Sequence, residues 1–278
     1  MITGVTICPA APLLARELTG LDPVIPELRQ ACAVAAERLV RSSPEVIAVV
    51  GPGRRTAVWP ADGRLNLAAF GPTLGTQSEP RGSPLPLPLG LGARLLDESG
   101  YTGPRLLQSV HSGEPAAACM RMGADLRTLS DRVGLLVMTD GSACRSLRAP
   151  GHLDPRAADF DAVLEGAVRG GDLGPLRVMD ARLAGELLVA GRPAWQVLAG
   201  AMPGRALRTE IHYKDDPFGV FYLVAWLAGE LGPVRRRARP GPAAARPARC
   251  RRSRQPGDVT VPNRPGVAVR RDRRWRSG

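Results

Sequence analysis

Residues 1–231 predict an α/β layered domain, in which helices flank a central, mainly parallel or mixed sheet. Two observations carry that expectation. Val133-Gly-Leu-Leu-Val-Met138 is an apolar run with almost no polar alternation, closed by the polar turn Asp140-Gly-Ser142, as expected of a strand buried on both faces under helices. At the amino end, Ile2–Cys8, Pro26–Arg41 and Pro44–Val50 read as strand, helix and strand, a unit that pairs its strands in parallel through a right-handed crossover.

Each element has a local reason. The first strand ends at Cys8-Pro9-Ala10-Ala11-Pro12, because proline has no N–H to give a ladder. In Pro26–Arg41 the residues Leu28, Ala31, Cys32, Ala35, Leu39 and Val40 recur at helical spacing, with Glu27, Arg29, Glu37 and Arg38 on the opposite side. Gly51-Pro52-Gly53 stops the second strand. Residues 54–86 are irregular, and only Leu65–Phe70 is expected to form an edge strand there. Leu87–Ser99 reads as a helix, Leu106–Val110 as a short strand leading to His111, and Pro115–Arg132 as a helix with proline in its first turn.

Beyond Asp140, Asp154 is the expected N-cap of a helix whose apolar members are Ala158, Phe160, Val163, Leu164 and Val168. Asp180–Ala190 and Pro193–Met202 read as two further helices, with Gly191 between them as a stop. Leu207–Tyr213 is the expected last strand, and Phe218–Leu231 the closing helix.

The chain has 278 residues and 44% hydrophobic content, enough for one sizeable core. No stretch reaches the roughly 20 apolar residues of a membrane span, and the amino end lacks a signal-peptide pattern, so a cytoplasmic protein with no membrane partner is expected. The five cysteines are odd in number and nowhere spaced C-x-x-C, which suggests neither a disulfide framework nor a zinc knuckle. The formal charge of +12 is concentrated at the carboxyl end, where fifteen arginines face only Asp258 and Asp272 from Arg235 onward. Residues 1–231 form the expected domain, and residues 232–278 an Arg/Pro-rich tail too poor in apolar residues to order itself. Basic tails bind polyanions without specificity, but Trp275 alone offers a stacking surface, so no specific nucleic-acid partner is expected. A reading frame shifted near Gly232 in a GC-rich gene would yield the same composition, and the tail is read as a non-functional extension.

Candidate chemistry gathers at predicted strand ends, where open α/β sheets bind ligands. Asp140 and His212 are the candidate catalytic residues, and Cys8, Ser142, Cys144 and Glu210 the candidate ligand contacts. The competing reading of Asp140 and Ser142 is that they merely bond the backbone of their own turn. His111, His152 and His212 are the only histidines, and an iron site of two His and one carboxylate would need two of them beside an acid. His212 alternates with Glu210, so their side chains share a face. The serine-hydrolase elbow G-x-S-x-G is absent, and Gly51-Pro-Gly53 lacks the third glycine of a dinucleotide turn.

Several segments in order resemble a known family. Ile7-Cys-Pro-Ala-Ala-Pro-Leu-Leu14, Val46-Ile-Ala-Val-Val-Gly-Pro52, Leu136-Val-Met-Thr-Asp-Gly-Ser-Ala143, Ala149-Pro-Gly-His-Leu-Asp-Pro155 with Phe160-Asp161, Gly191-Arg-Pro-Ala-Trp195 and Tyr213-Lys-Asp-Asp-Pro-Phe-Gly-Val220 are similar to a bacterial branch of the class III extradiol ring-cleavage dioxygenase B-subunit-like (LigB-type) superfamily. The resemblance spans residues 1–231. It implies non-heme Fe(II) held by two His and one Glu, with a further His as acid/base.

This sequence departs from that pattern at the residues that matter. The resemblance puts the first iron-binding His in the Cys-Pro-x-x-Pro loop, occupied here by Ala10 and Ala11, and the second where Gly53 stands. The loop expected to hold the catalytic His carries Ala143 and Cys144 instead. Neither Ala nor Gly offers a donor atom, and one acid such as Glu210 or Asp215 is not an Fe(II) site. The leading expectation is therefore a dioxygenase-like domain without ring-cleaving activity and without a cofactor, binding a small molecule and open to homo-oligomer formation. The alternatives are an active enzyme with Fe(II) relocated to His111, His212 and a nearby carboxylate, or a subunit completed by a partner.

Overall fold

The computed structural model describes residues 1–20, 24–71, 83–204 and 207–229. The expected tail, residues 232–278, lies outside the described residues, and Met1–Gly232 cluster as one unit. The framework is a seven-stranded sheet of order β3-β6-β2-β7-β1-β9-β8, formed by β1 (Ile2–Cys8), β2 (Val46–Gly53), β3 (Ala57–Trp59), β6 (Arg105–His111), β7 (Val133–Met138), β8 (Leu207–Asp215) and β9 (Tyr222–Gly229). Its centre is parallel: β7 pairs in parallel with both β1 and β2, and β2 with β6. β3 is antiparallel to β6, and β9 is antiparallel to β1 and to β8. All of β7 is buried, as its unalternating composition requires of a strand covered on both sides.

Two cores cover the faces. On one, α2 (Pro26–Arg41) and α3 (Leu87–Glu98) bury Leu28, Leu39, Leu89, Leu91 and Leu96 against Cys8, Val49, Leu136, Met138 and Val224. On the other, α4 (Ala116–Leu126), α5 (Arg156–Gly170), α6 (Gly174–Arg177) and α8 (Arg192–Ala201) cover Val5, Ile7, Val50, Leu135 and Val137. Trp195 of α8 is fully buried there, a side chain whose burial contributes about 2–3 kcal/mol. Between α4 and α8 the backbones nearly touch: a Cβ at Gly123 would stand 2.1 Å from the Val197 carbonyl oxygen, and one at Gly200 2.2 Å from that of Met120. α1 (Arg16–Thr19) and α7 (Ala181–Glu186) are short, and Asp180 caps the latter by accepting from the N–H groups of Arg182 and Leu183.

Six expectations are corrected. Gly51-Pro52-Gly53 does not stop the second strand but forms the end of β2, where beyond Val50 it pairs with β6 alone, an edge position that tolerates proline. Of the expected helix Phe218–Leu231, the described part up to Gly229 is no helix: a 3-10 turn, Pro217–Gly219, precedes strand β9. Tyr222–Leu227 is an apolar run without a period, which fits a buried helix and a doubly covered strand equally, and neighbours β1 and β8 on either side decide for the strand. Leu207–Tyr213 is consequently not the last strand. Leu65–Phe70 splits into β4 (Arg64–Leu65), paired with β5 (Pro84–Leu85) in a separate small sheet, and a 3-10 turn at Ala68–Phe70; the edge of the main sheet is β3. Gly191 is the N-cap of α8 rather than a stop, and α5 begins after Pro155, with Asp154 accepting from the Arg156 N–H.

Candidate functional site

The chain leaves β1 and β2 toward the face of α2 and α3, but leaves β6 and β7 toward the face of α4 and α5. Neighbouring strands whose continuations diverge open a crevice at their carboxyl ends, and β7 lies between two such neighbours, β1 and β2. Asp140, two residues past the end of β7 and partly buried, stands in the turn at that point of divergence. The Ala10 N–H, in the loop after β1, donates to Asp140 Oδ1 at 3.0 Å. Thr139 N–H bonds to the Cys8 carbonyl at 2.8 Å, and Trp195 Nε1 to the Asp140 carbonyl at 3.1 Å, so the turn is held from both faces.

No cation faces the Asp140 carboxyl among the described residues. Burial pushes its pKa from the ordinary carboxylate range up to about 7, and the Ala10 N–H opposes the shift only in part. The Tyr222 phenol is buried close by, and burial together with the Asp140 charge holds it above its usual value. Tyr213, on the neighbouring strand, is pushed up to about 12 by burial and by Asp215 and Glu27. A carboxyl that titrates near neutrality in a crevice can accept or give a proton, or donate a hydrogen bond while neutral.

The other five residues that the sequence nominates do not join it in a shared site. Ser142 is fully buried, and its hydroxyl and N–H both bond Asp161 of α5, at 2.6 and 2.8 Å. Its role is to fasten the loop. Cys8 is buried under α2, where its thiol meets that of Cys32, and that contact and burial raise its pKa well above the usual thiol range. Cys144 is buried in a small cluster with Ala157, Ala184 and Leu187. Glu210 is exposed and paired with Arg38 of α2, whose guanidinium also stacks 3.9 Å from the Trp226 ring. His212 lies with its Nδ1 3.6 Å from Glu210, and its buried Nε2 has no partner among the described residues. The shared face expected of that pair is thus observed, but β1 and β9 stand between β8 and β7, which puts the pair roughly 14 Å from Asp140 at ordinary strand spacing.

Residues to which the sequence assigns no role complete the loop. Asp161, which in the sequence stands out only as part of a resembling segment, is 2% exposed. Its pKa is raised by burial, with Ser142 and Arg145 opposing the shift. Arg145 bridges it, at 3.8 Å, to Asp216 at 2.9 Å, just past the end of β8, so that end of β8 reaches this edge of the sheet. A buried acid among the apolar positions of a predicted helix was the available signal, since such a group requires partners.

The residues present do not fit the iron centre that the resemblance implies. Ala10, Gly53 and Asp140 lie at the ends of adjacent strands, and only Asp140 brings a donor. At Gly53 even a Cβ would stand 2.7 Å from the Ser109 Cβ, so the position is closed to an imidazole as packed. His111, at the end of β6, is five strand positions from β8 and His212, roughly 24 Å at usual strand spacing, and these two histidines share no site. Among the described residues no three of His, Cys, Asp and Glu stand together as metal ligands.

Comparison with known proteins adds little to the chemistry. No protein-family model matches this chain, and no curated protein does. Among solved structures it is similar to the crystal structure of an uncharacterized protein from Escherichia coli K12, with a TM-score of 0.47 and 16% identity over 81% of this chain and 99% of that one. Among the described residues no helix is long and apolar enough to cross a membrane.

Proposed function

We propose that the domain is a class III extradiol dioxygenase relative that has lost its iron ligands, and that the crevice at Asp140 binds a small molecule. Asp140 is the group that exchanges a proton, or a hydrogen bond, with that ligand. The observation that supports this most directly is the carboxyl itself: enclosed between the β1 and β7 loops, bonded by a single N–H and titrating at about 7. The four cysteines among the described residues, all buried free thiols, fit a reducing, cytoplasmic location.

Metal analysis of protein purified without chelator tests the reading, together with oxygen uptake on catechol-type substrates. The expected result is iron well below one equivalent and no ring cleavage. One equivalent of iron with turnover overturns it. The alternative of a relocated iron site at His111 and His212 gains no support, because those residues lie far apart in the sheet.

A further inference from the structure

On the α4 side of the β7 loop lies a buried cation with no counter-ion among the described residues. Arg192, the first residue of α8, is 4% exposed. Its guanidinium donates to Gln196 Oε1 at 2.6 Å, to the Ser112 carbonyl at 2.6 Å and to the Glu114 carbonyl at 2.8 Å. All three acceptors are neutral, and two of the guanidinium nitrogens supply these bonds. Gln196, fully buried beside it, has an Nε2 without a partner among the described residues. A buried charge left without an opposite charge is costly, which makes this position receptive to an anion.

Arg192 also lines a cleft of about 590 Å³ between the loop after β6 and the α7–α8 turn, walled by Met179, Ala184, Leu188 and Val189. Leu188 is 49% exposed and adopts φ 57°, a left-handed conformation that a branched side chain rarely takes. The strained turn thus holds an apolar side chain at the mouth of the cleft instead of burying it. An apolar cleft of a few hundred Å³ with one charged group is the usual form of a small-ligand site. Glu114 lines it as well, its carboxylate accepting from the Thr56 hydroxyl, and this second charge disfavours a multiply charged anion.

We propose that this cleft binds a small apolar monocarboxylate. The carboxylate pairs with the N–H groups that Arg192 has left, and the hydrocarbon or aromatic body rests on Met179, Leu188 and Val189. Asp140 does not line the cleft, and the inference is independent of the function proposed for that residue.

Calorimetric titration of the full chain with benzoate and hexanoate, beside benzamide, hexanamide and inorganic phosphate, tests it. At least one carboxylate is expected to bind saturably at one per chain, with its amide and phosphate weaker by about tenfold or more, because charge pairing in a desolvated site decides the affinity. Arg192→Gln should abolish the preference for carboxylate over amide. Since Arg192 also fastens the Ser112–Glu114 loop, Leu188→Asp serves as the second variant: Asp suits a left-handed backbone and an exposed site, and its charge should weaken carboxylate binding by about tenfold. Absence of carboxylate binding, an amide or phosphate that binds as well, or a Leu188→Asp protein with unchanged affinity would each overturn the proposal.

Discussion

The crevice at the end of β7 and the outer strand β8 both carry a titratable side chain held in unusual surroundings, yet they differ in what surrounds it. Asp140 stands where strands diverge, enclosed, with one N–H partner and no cation among the described residues. Glu210 and His212 lie along β8 at the end of the sheet, with the acid paired to Arg38 in solvent. The first is a partly buried acid at a strand end where loops part; in the second, Arg38 of α2 satisfies the exposed acid, while the buried Nε2 of His212 has no partner among the described residues. Chemistry follows from the topology of the strand end, not from the identity of the residue alone.

The sharpest break of that contrast is Asp140→Asn. In the native state Asp140 keeps its proton up to a pH of about 7, whereas the unfolded chain releases it near 3.9, so its contribution to stability is full below about pH 4 and is lost as pH rises through about 7. Asp161, raised by burial, acts in the same direction, while Glu17, Glu165 and Glu210, held low by their basic partners, oppose it weakly at the surface. Urea unfolding at pH 8 should show Asp140→Asn more stable than wild type by about 3–4 kcal/mol, an advantage that vanishes near pH 4. An equal difference at both pH values would mean that the carboxyl is not perturbed.

Next in size is Asp161→Ala, which strands the buried Ser142 hydroxyl and N–H; a loss of about 3 kcal/mol is expected in the same assay. Gly53→His, which restores the residue type that the family resemblance calls for, should cost about 2 kcal/mol through its clash with Ser109 and leave iron content unchanged. A smaller effect, under about 1 kcal/mol, is expected for Glu210→Gln, as for exposed ion pairs in general. Smallest of all, a double-mutant cycle between Asp140→Asn and His212→Ala should give a coupling under about 0.5 kcal/mol, because side chains this far apart act independently. A larger coupling would place the two in one site after all.

Much of the sheet was legible because its signals are local. The prolines after Cys8 and the unbroken apolar run Val133–Met138 each report a property of a few neighbouring residues, and those strands are where they were expected, whereas the second strand runs on through Gly51-Pro52-Gly53. Asp140 was legible for the same reason, as the polar turn after a buried strand. The strand β9 was not, since Tyr222–Leu227 has no period and only its neighbours define it. The partners of Ser142 and Cys8, which are Asp161 and Cys32, were likewise invisible, because a short polar residue near a strand end reads the same whether it faces a cleft or a helix.

Composition and periodicity alone determined that this chain folds as helices layered on a largely parallel sheet, and that positions 10, 11 and 53 hold no metal donor, since both follow from residue type and order. Tertiary structure alone decided which polar groups meet. It set Asp140 against the Ala10 N–H, bound Ser142 to Asp161, kept His212 several strands away and buried Arg192 among neutral acceptors. Those pairings join residues up to 130 positions apart, and contacts at that range depend on how strands are ordered in space, which no short stretch of sequence encodes.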